Sequence, residues 1–161
     1  MCQPPDFGAG VHALDIVGPG EVLMIAAAGN SEFAMIGDIL GGHVRKRGAV
    51  GVVCDGAVRD VATLASFSDF AVFTRFVTLR GPLSAEHGSI NVPVVIGGRV
   101  VSPADLVIGD DDGLVALSPS TVRSRLIDAK DRQAREAGWI DSLTSGRSAR
   151  ETFALEASKS S

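Results

Sequence analysis

Three side chains of this sequence, Asp38, Arg59 and Asp60, have the types needed to hold a metal ion and an α-keto acid together. Asp38 stands in the segment Gly37–Leu40, whereas Arg59 and Asp60 close the segment Gly48–Asp60. Carboxylate oxygens suit hard divalent cations such as Mg²⁺ or Mn²⁺. The planar fork of an arginine matches a carboxylate through two parallel hydrogen bonds. The combination therefore predicts a site for a divalent cation and a keto acid.

Two apolar runs predict buried strands over Val22–Ala28 and Ala49–Cys54. The first run precedes Asp38, and the second precedes Arg59 and Asp60. Between the two runs, a helix is expected to begin at Asn30 or Ser31 and to end at the basic group Arg45–Arg47, which suits the helix dipole. A strand, a helix and a strand in so short a span predict a βαβ crossover. Because the carboxyl ends of parallel strands meet at one sheet edge, the residues that follow both strands are expected to lie close together.

The helix and the second strand carry further expectations. The apolar residues of the helix recur at helical spacing, at Phe33, Ile36, Leu40 and Val44. The turn pair Asp55-Gly56 is expected to close the second strand. Asp60 is then expected to open another short helix that reaches Phe67.

The second half of the sequence predicts shorter strands in an antiparallel or mixed arrangement, followed by helices. Turn-forming pairs divide five candidate strands, which run over Ala71–Phe76, Ile90–Ile96, Arg99–Val101, Asp105–Asp110 and Leu114–Ser118. Ser118-Pro119 is a helix start signal, and Ser148 is expected to open a last helix that extends through Ala157. The sequence thus divides into an α/β core, residues 1–118, and a helical extension, residues 119–157, that packs on the core or on a neighbouring subunit.

Each candidate residue also has an ordinary structural explanation. Asp60 could serve only as a helix N-cap, and Arg59 only as a surface ion-pair partner. The glycines and free N–H groups before Asp38 could cradle an anion or form a plain strand-to-helix turn. The run Asp110–Gly113 is more typical of a hairpin turn than of a calcium loop, because the distal glutamate of such a loop is missing.

Composition and the remaining reactive side chains exclude several classes. The 161-residue chain has a net charge of −4 and 45% hydrophobic residues, typical of one globular protein without the basic surplus of a nonspecific nucleic-acid binder. His12, His43 and His87 form no pair at metal-ligand spacing. Cys54 is expected to be buried and Cys2 mobile, without a disulfide framework. Since neither a signal peptide nor a membrane span is visible, the cytoplasm is the expected location.

Four segments together resemble the RraA-like family, and within it the 4-hydroxy-4-methyl-2-oxoglutarate aldolases. The resemblance runs from about Gly20 to Phe153 and rests on GDIL, RGAVGVVCDGAVRD, INVPVVIGGRVVSPADLVIGDDDGLVALSP and RQAREAGWIDSLTSGRSARE. It implies an α/β fold, a swivelling β/β/α sandwich with a mixed sheet and C-terminal helices. It also implies a homotrimer or a dimer of trimers with the site between subunits, and Mg²⁺ or Mn²⁺ as the cofactor.

The resemblance assigns roles to the three residues already singled out. Asp60 matches the family's metal-binding aspartate. Arg59 matches the arginine that grips the pyruvyl carboxylate, and Asp38 matches the aspartate that orients a metal-bound water.

The same resemblance extends the site to four more residues. Gly37, Ile39 and Leu40 match the substrate-binding stretch, in which the backbone N–H groups of Ile39 and Leu40 contact the keto acid. Glu136 matches a C-terminal glutamate that reaches the metal site of a neighbouring subunit. The sequence departs from the family pattern at Thr63, where family members often have a glutamate or an aspartate. The carboxylate that would support the Arg59-Asp60 pair is therefore missing.

The implied activity is a divalent-metal-dependent retro-aldol cleavage of 4-hydroxy-4-methyl-2-oxoglutarate, or a related 4-hydroxy-2-oxo acid, to pyruvate, with oxaloacetate decarboxylation as a side activity. Two alternatives stay open. The resemblance also covers regulators that bind and inhibit an RNA-degrading endonuclease. The segment before Ala13 is shorter than in family members, which leaves an inactive truncated member as the other alternative.

Overall fold

The structure, a computed structural model, describes residues 1–155 of the chain. These residues divide into two compact units, Met1–Ala116 and a second unit that begins at Leu117. The first unit contains the strands, except that the final strand extends one residue further, to Leu117. The second unit contains the two C-terminal helices.

The first unit is built around one buried strand, β3 (Gly51–Val58), all eight residues of which are buried. β1 (Val22–Ala26) pairs in parallel with the first part of β3, and β2 (Ala34–Ile36) pairs in parallel with its end. β4 (Ala71–Val77) pairs in parallel along both parts of β3 and therefore occupies its other side. A strand with neighbours on both sides and covered faces favours apolar residues, which explains the run Gly51–Cys54; the one buried charge of the strand, Asp55, is paired with Arg75 on β4.

Three helices cover one face of the sheet; the first precedes β1, the second connects β2 to β3, and the third connects β3 to β4. They are α1 (Gly8–Ile16), α2 (Asp38–Lys46) and α3 (Val61–Ala65). The main core cluster forms between helices and strands and includes Leu14, Ile25, Val44, Val52 and Leu64. The last turn of α2 carries basic side chains, as the sequence predicts.

Two short hairpins complete the first unit. β5 (Val94–Ile96) pairs with β6 (Arg99–Val101) in antiparallel register and packs on the opposite face of the sheet, where a second core cluster includes Ala26, Val53, Val94 and Val101. β7 (Leu106–Asp110) pairs with β8 (Gly113–Leu117) across a two-residue turn. The hairpin-turn interpretation of Asp110–Gly113 is thereby confirmed.

The second unit consists of two helices. α4 (Pro119–Thr144) begins where predicted, because the Ser118 side chain accepts a hydrogen bond from the N–H of Thr121 and proline occupies the first turn. α5 (Ala149–Thr152) has a complete capping box between Ser148 and Glu151. Its end at Thr152 is earlier than predicted, and the predicted end at Ala157 lies outside the described residues. Within residues 1–155, no helix combines the length and the apolar character needed to cross a membrane.

The predicted α/β class is confirmed, but two local predictions are wrong. No helix begins at Asn30 or Ser31: the Asn30 side chain accepts a hydrogen bond from the N–H of Phe33 over 2.9 Å, and this local turn leads into β2. The pair Asp55-Gly56 does not close a strand, because β3 continues to Val58. The strands of the second half are mixed, one of the two predicted arrangements, because β4 pairs in parallel with β3 whereas β5 and β6 are antiparallel.

Two predictions outside the sheet core also differ from the structure. Cys2 is not mobile: it is 6% exposed, and its N–H donates a hydrogen bond to the carbonyl of Ala26 over 2.9 Å. The predicted strand Ile90–Ile96 is shorter, since only Val94–Ile96 pair with a partner strand. Cys54 is buried, as expected.

Candidate functional site

The ends of β2 and β3 place the three candidate residues at one edge of the sheet. The N–H of Arg59 donates a hydrogen bond to the carbonyl of Ile36 over 3.0 Å, so the two strand ends are directly bonded. Asp38 is the first residue of α2, one position beyond Gly37, and Asp60 precedes α3. The predicted proximity of the two segments is therefore observed, but the strand that ends before Asp38 is β2, which the sequence pattern did not predict, and not β1.

The three side chains form one contact cluster. The main-chain N–H of Asp38 donates a hydrogen bond to Oδ2 of Asp60 over 3.2 Å, and Nε of Arg59 lies 3.4 Å from the same oxygen. The side chains of Arg59 and Asp60 are 40% and 37% exposed, so solvent and ligands can reach both. Asp38 is partly exposed, and its Oδ1 accepts a hydrogen bond from the N–H of Ile39 over 2.7 Å.

The purely structural explanation for Asp60 accounts for only part of this arrangement. Asp60 does occupy the N-cap position of α3, but its side chain makes no capping hydrogen bond. The carboxylate instead turns toward Asp38 and Arg59. Its backbone is left-handed, with φ 57° and ψ 38°, a conformation that costs most non-glycine residues about 1–2 kcal/mol. Strained backbone of this kind is concentrated at functional sites.

Two glycines leave the space that the arginine side chain occupies. A Cβ on Gly37 would lie 2.8 Å from Cγ of Arg59 and would overlap Oδ2 of Asp60. A Cβ on Gly81 would lie 2.8 Å from Nη1 of Arg59. Both contacts are closer than ordinary van der Waals approach, so the Arg59 side chain lies against the backbone at both glycines. A side chain at position 81 would displace the end of the guanidinium, and one at position 37 would displace both Arg59 and Asp60.

The start of α2 offers one main-chain donor beside the cluster. The N–H of Leu40 has no hydrogen-bond partner among residues 1–155, because the carbonyl of Ile36 accepts from Arg59. The N–H of Ile39, by contrast, is used by the Asp38 side chain. A free donor at a helix N-terminus favours a bound anion or carbonyl oxygen.

The donor set at this edge fits a hard divalent cation in part. Oδ1 of Asp60 and Oδ2 of Asp38 accept no hydrogen bond from the part of the chain that the structure describes. Mg²⁺ is commonly held by one or two carboxylates and completes its octahedron with waters and substrate oxygens. No group of three or more His, Cys, Asp or Glu side chains in residues 1–155 is placed to hold a metal. A cation here would therefore depend on water and substrate oxygens.

The other predicted ligand lies in the second unit. Glu136 is on α4, where Nε of Arg132 donates a hydrogen bond to its Oε1 over 2.6 Å. This is a one-turn ion pair of the kind common on helix surfaces. The metal role of Glu136 rests on the family resemblance alone.

A cavity elsewhere in the first unit is a weaker candidate for the keto-acid site. It has a volume of about 460 Å³ and lies between α1, β1 and the segments around residues 89–94 and 101–107. Glu21 and Asp105 are the charged side chains that line it. Without a cationic side chain in its lining, it offers little to an anionic keto acid.

Sequence reasoning missed Gly81, which lies against the arginine, and Asp6, which bonds to the coil that contains Gly81. Gly81 lies in the coil after β4, and Asp6 is buried beneath the same coil. Their positions depend on contacts between distant parts of the chain, so no local pattern could have identified them.

Comparison with known proteins shows the family of the chain. The family model described as RraA-like, Aldolase/RraA, matches residues 1–116. The chain belongs to the RraA-like family. Two relatives carry the name "Putative 4-hydroxy-4-methyl-2-oxoglutarate aldolase". The one from Halalkalibacterium halodurans is 35% identical over 116 residues, covering 72% of this chain and 55% of that protein. The one from Alcanivorax borkumensis is 31% identical over 105 residues, covering 65% of each.

Solved structures confirm the RraA fold. The structure of the RNA-processing inhibitor RraA from Thermus thermophilus superposes with a TM-score of 0.65 at 28% sequence identity, covering 70% of this chain and 68% of that one. This RraA-like chain spans 55% and 65% of the lengths of its two curated relatives. The family thus contains both proteins named as aldolases and a protein named as an inhibitor of RNA processing.

Proposed function

We propose that this RraA-like protein is a divalent-metal-dependent pyruvate aldolase. Its substrate is 4-hydroxy-4-methyl-2-oxoglutarate or a related 4-hydroxy-2-oxo acid, and oxaloacetate decarboxylation is a side activity. The observation that carries the proposal is the contact between Arg59 and Asp60 beside the start of α2, with both side chains open to solvent. One cation-binding acid and one carboxylate-binding guanidinium meet there.

Arg59 binds the substrate's carboxylate in this proposal. Its side chain lies against the backbone at Gly37 and Gly81 and is 40% exposed, so the guanidinium can form two parallel hydrogen bonds with a carboxylate. The N–H of Leu40 donates to a second oxygen of the keto acid. As pyruvate leaves in its enolate form, the adjacent positive charge of Arg59 stabilises the developing negative charge.

Asp38 transfers the proton of the substrate's 4-hydroxyl group through a water in this proposal. Its free oxygen can hold a water that accepts the proton of the 4-hydroxyl group and returns one to the product carbon. Asp60, with Glu136 of a neighbouring copy, would hold Mg²⁺ or Mn²⁺. Bound there, the ion would act as a Lewis acid toward the keto oxygen.

The lysines of the described chain do not favour imine chemistry at this site. They are Lys46 and Lys130. Lys46 is the last residue of α2, the helix whose first residue is Asp38, and Lys130 lies on α4 in the second unit. A Schiff base requires a lysine at the reacting carbon, so this placement supports metal-assisted cleavage.

The test is pyruvate release from a small panel of 4-hydroxy-2-oxo acids, with added Mg²⁺ or with a chelator. Arg59→Lys keeps the charge and loses the fork, and Asp60→Asn keeps the shape and tolerates the left-handed backbone. Each should lower kcat/KM by about 10²–10³-fold. Arg99→Lys and Asp112→Asn, at exposed positions in the hairpins, are the matched controls. Unchanged turnover in both site variants would refute the proposal.

A second candidate function is inhibition of an RNA-degrading endonuclease. The 28% identity with a protein named as an RNA-processing inhibitor favours it. Such binding would not depend on the Arg59–Asp60 pair. Tight binding to a purified endonuclease, unaffected by Arg59→Lys and without lyase activity, would establish this function in place of the aldolase.

The aldolase proposal includes a homotrimer or a dimer of trimers, since Glu136 is assigned to the site of a neighbouring copy. The monomer mass is 16.6 kDa. Light scattering after size exclusion should therefore give three or six times that mass. A monomeric protein that is fully active would contradict the role of Glu136.

A further inference from the structure

A long coil passes close to the arginine of the proposed site. Between β4 and β5, residues 78–93 contain no regular strand or helix and are mostly exposed. Coils of this length inside a compact unit remain ordered only where specific contacts hold them. The contacts of this coil lie at its start, at residues 83–87 and at Ser89, which bonds to Met1.

Residues 83–87 are held by a buried carboxylate, that of Asp6, which is 6% exposed. Ser84 donates its hydroxyl to Oδ2 of Asp6 over 2.5 Å. The N–H of Glu86 donates to the same oxygen over 3.0 Å, and the N–H of His87 donates to Oδ1 over 2.9 Å. Gly8, at the start of α1, donates its N–H to Oδ1 over 2.7 Å. A carboxylate with four such donors is a strong anchor, because hydrogen bonds to a charged acceptor are stronger than neutral ones.

Main-chain hydrogen bonds extend the same attachment. The N–H of Leu83 donates to the carbonyl of Pro5 over 2.9 Å, and the N–H of Phe7 donates to the carbonyl of Ser84 over 3.0 Å. At the start of the coil, the carbonyl of Arg80 accepts a hydrogen bond from the N–H of Ala34 over 2.7 Å. The coil is therefore fixed on both sides of Gly81.

Gly81 is the point at which this fixed coil contacts the site. It lies between Arg80, which is bonded to the sheet, and Leu83, which is bonded to the N-terminal segment. Its missing side chain lets Nη1 of Arg59 approach the backbone. Together with Gly37, which approaches Cγ and Nε of the same arginine, the coil limits where the guanidinium can lie.

We infer that Asp6 is a positioning residue for Arg59, acting through the coil 80–87 and the contact at Gly81. Asp6 does not touch the substrate. It fixes the coil, and the coil fixes the guanidinium that receives the substrate's carboxylate. The inference rests on the proposed function for its kinetic consequence, but the structural coupling can be measured without any activity.

Small changes at the coil test the coupling with little risk to folding. Ser84→Ala removes one donor from Asp6 at an exposed position, whereas Ser84→Thr keeps the hydroxyl. Gly81→Ala acts at the contact itself. The controls are Ser145→Ala and Gly138→Ala, both in the second unit; Gly138 has open space around it.

The first readout compares the change in KM for the 2-oxo acid with the change in kcat for each variant. Ser84→Ala should raise KM about fivefold, the expected loss for one hydrogen bond. Gly81→Ala should raise it about tenfold or more, since small displacements of a binding group are costly. Ser84→Thr should restore the wild-type value, and the controls should not differ from it. A KM unchanged by Ser84→Ala and Gly81→Ala would overturn the inference.

The second readout separates the two proposals. The Nε–H signal of Arg59 in a ¹⁵N-labelled sample can be assigned by its loss in Arg59→Lys. It should shift in Ser84→Ala and Gly81→Ala and stay constant in the controls. A shifted signal in a protein that never releases pyruvate would refute the aldolase and support the positioning role. A constant signal in an enzyme that releases pyruvate would support the aldolase and refute the positioning role of Asp6.

Discussion

The main-chain N–H of Asp38 donates a hydrogen bond to Oδ2 of Asp60, although the two residues are 22 positions apart in the chain. This contact joins the start of α2 to the end of β3. It places a carboxylate at the positive end of the α2 dipole, beside the guanidinium of Arg59. The position of the Asp60 carboxylate therefore depends on a main-chain hydrogen bond as well as on the neighbouring side chain of Arg59.

The glycine before α2 is expected to be essential for this arrangement. In Gly37→Ala the new Cβ would overlap Oδ2 of Asp60 and press against Cγ of Arg59. Because both groups would have to move, kcat/KM for pyruvate release should fall by about 10²-fold. The measurement is steady-state kinetics together with a thermal melt.

The control for that variant is Gly42→Ala in the same helix. Its new Cβ would meet only Cζ of Phe67, at 3.9 Å. Replacing a glycine inside a helix should stabilise the protein by about 0.5–1 kcal/mol and leave turnover unchanged. Equal losses of activity in the two variants would show that Gly37 has no special relation to the site.

Asp6 is expected to make stability depend on pH in the acid range. The hydroxyl of Ser84, followed by the N–H groups of Gly8, Glu86 and His87, holds the pKa of Asp6 well below 3.8, although burial acts in the opposite direction. The folded state then binds fewer protons than the unfolded state. The stabilisation is present above about pH 4 and is lost as the pH falls toward the folded-state pKa.

The measurement for this prediction is urea unfolding at several pH values. Asp6→Asn should be less stable than wild type at neutral pH, and the difference should shrink as the pH falls from about 5 to about 2. A difference that stays constant over this range would mean that the charge on Asp6 contributes nothing to folding.

Both thiols should be unreactive in the folded protein. Burial raises the pKa of Cys54 to about 12 and also raises the pKa of Cys2. Since the thiolate is the reactive form, a disulfide reagent at about pH 8 should label neither residue until denaturant is added, when both should react. Rapid labelling of Cys2 in the native protein would show that the N-terminal segment opens readily.

The sequence allowed the central strands and the convergence of the site residues to be predicted, because both follow from local patterns. The apolar runs of β1 and β3 and the position of Arg59 and Asp60 after β3 suffice to place an acid and a guanidinium at a sheet edge. The two C-terminal helix starts were predictable for the same reason, since Ser118 and Ser148 are local capping signals.

Tertiary contacts override the local signals where the predictions are wrong. Asp55-Gly56 is a strong turn pair, yet Asp55 is paired with Arg75 on β4 at 3.1 Å, and the missing side chain of Gly56 lets Ala27 approach. The chain therefore continues as a strand. Asn30 was expected to cap a helix, but it bonds to Phe33 in a turn before β2. Asp6 and Gly81 were not predictable because their partners come from distant segments.

The left-handed backbone at Asp60 has a consequence for any library of substitutions. At position 60, soluble yield should be highest for Asp, Asn and Gly, the residues that accept this region of the Ramachandran map. Catalysis should select Asp alone among them. Position 38, in ordinary helical geometry, should tolerate many residues for yield. The two acids of the site would thus show different fitness profiles, one limited by backbone handedness and the other by chemistry.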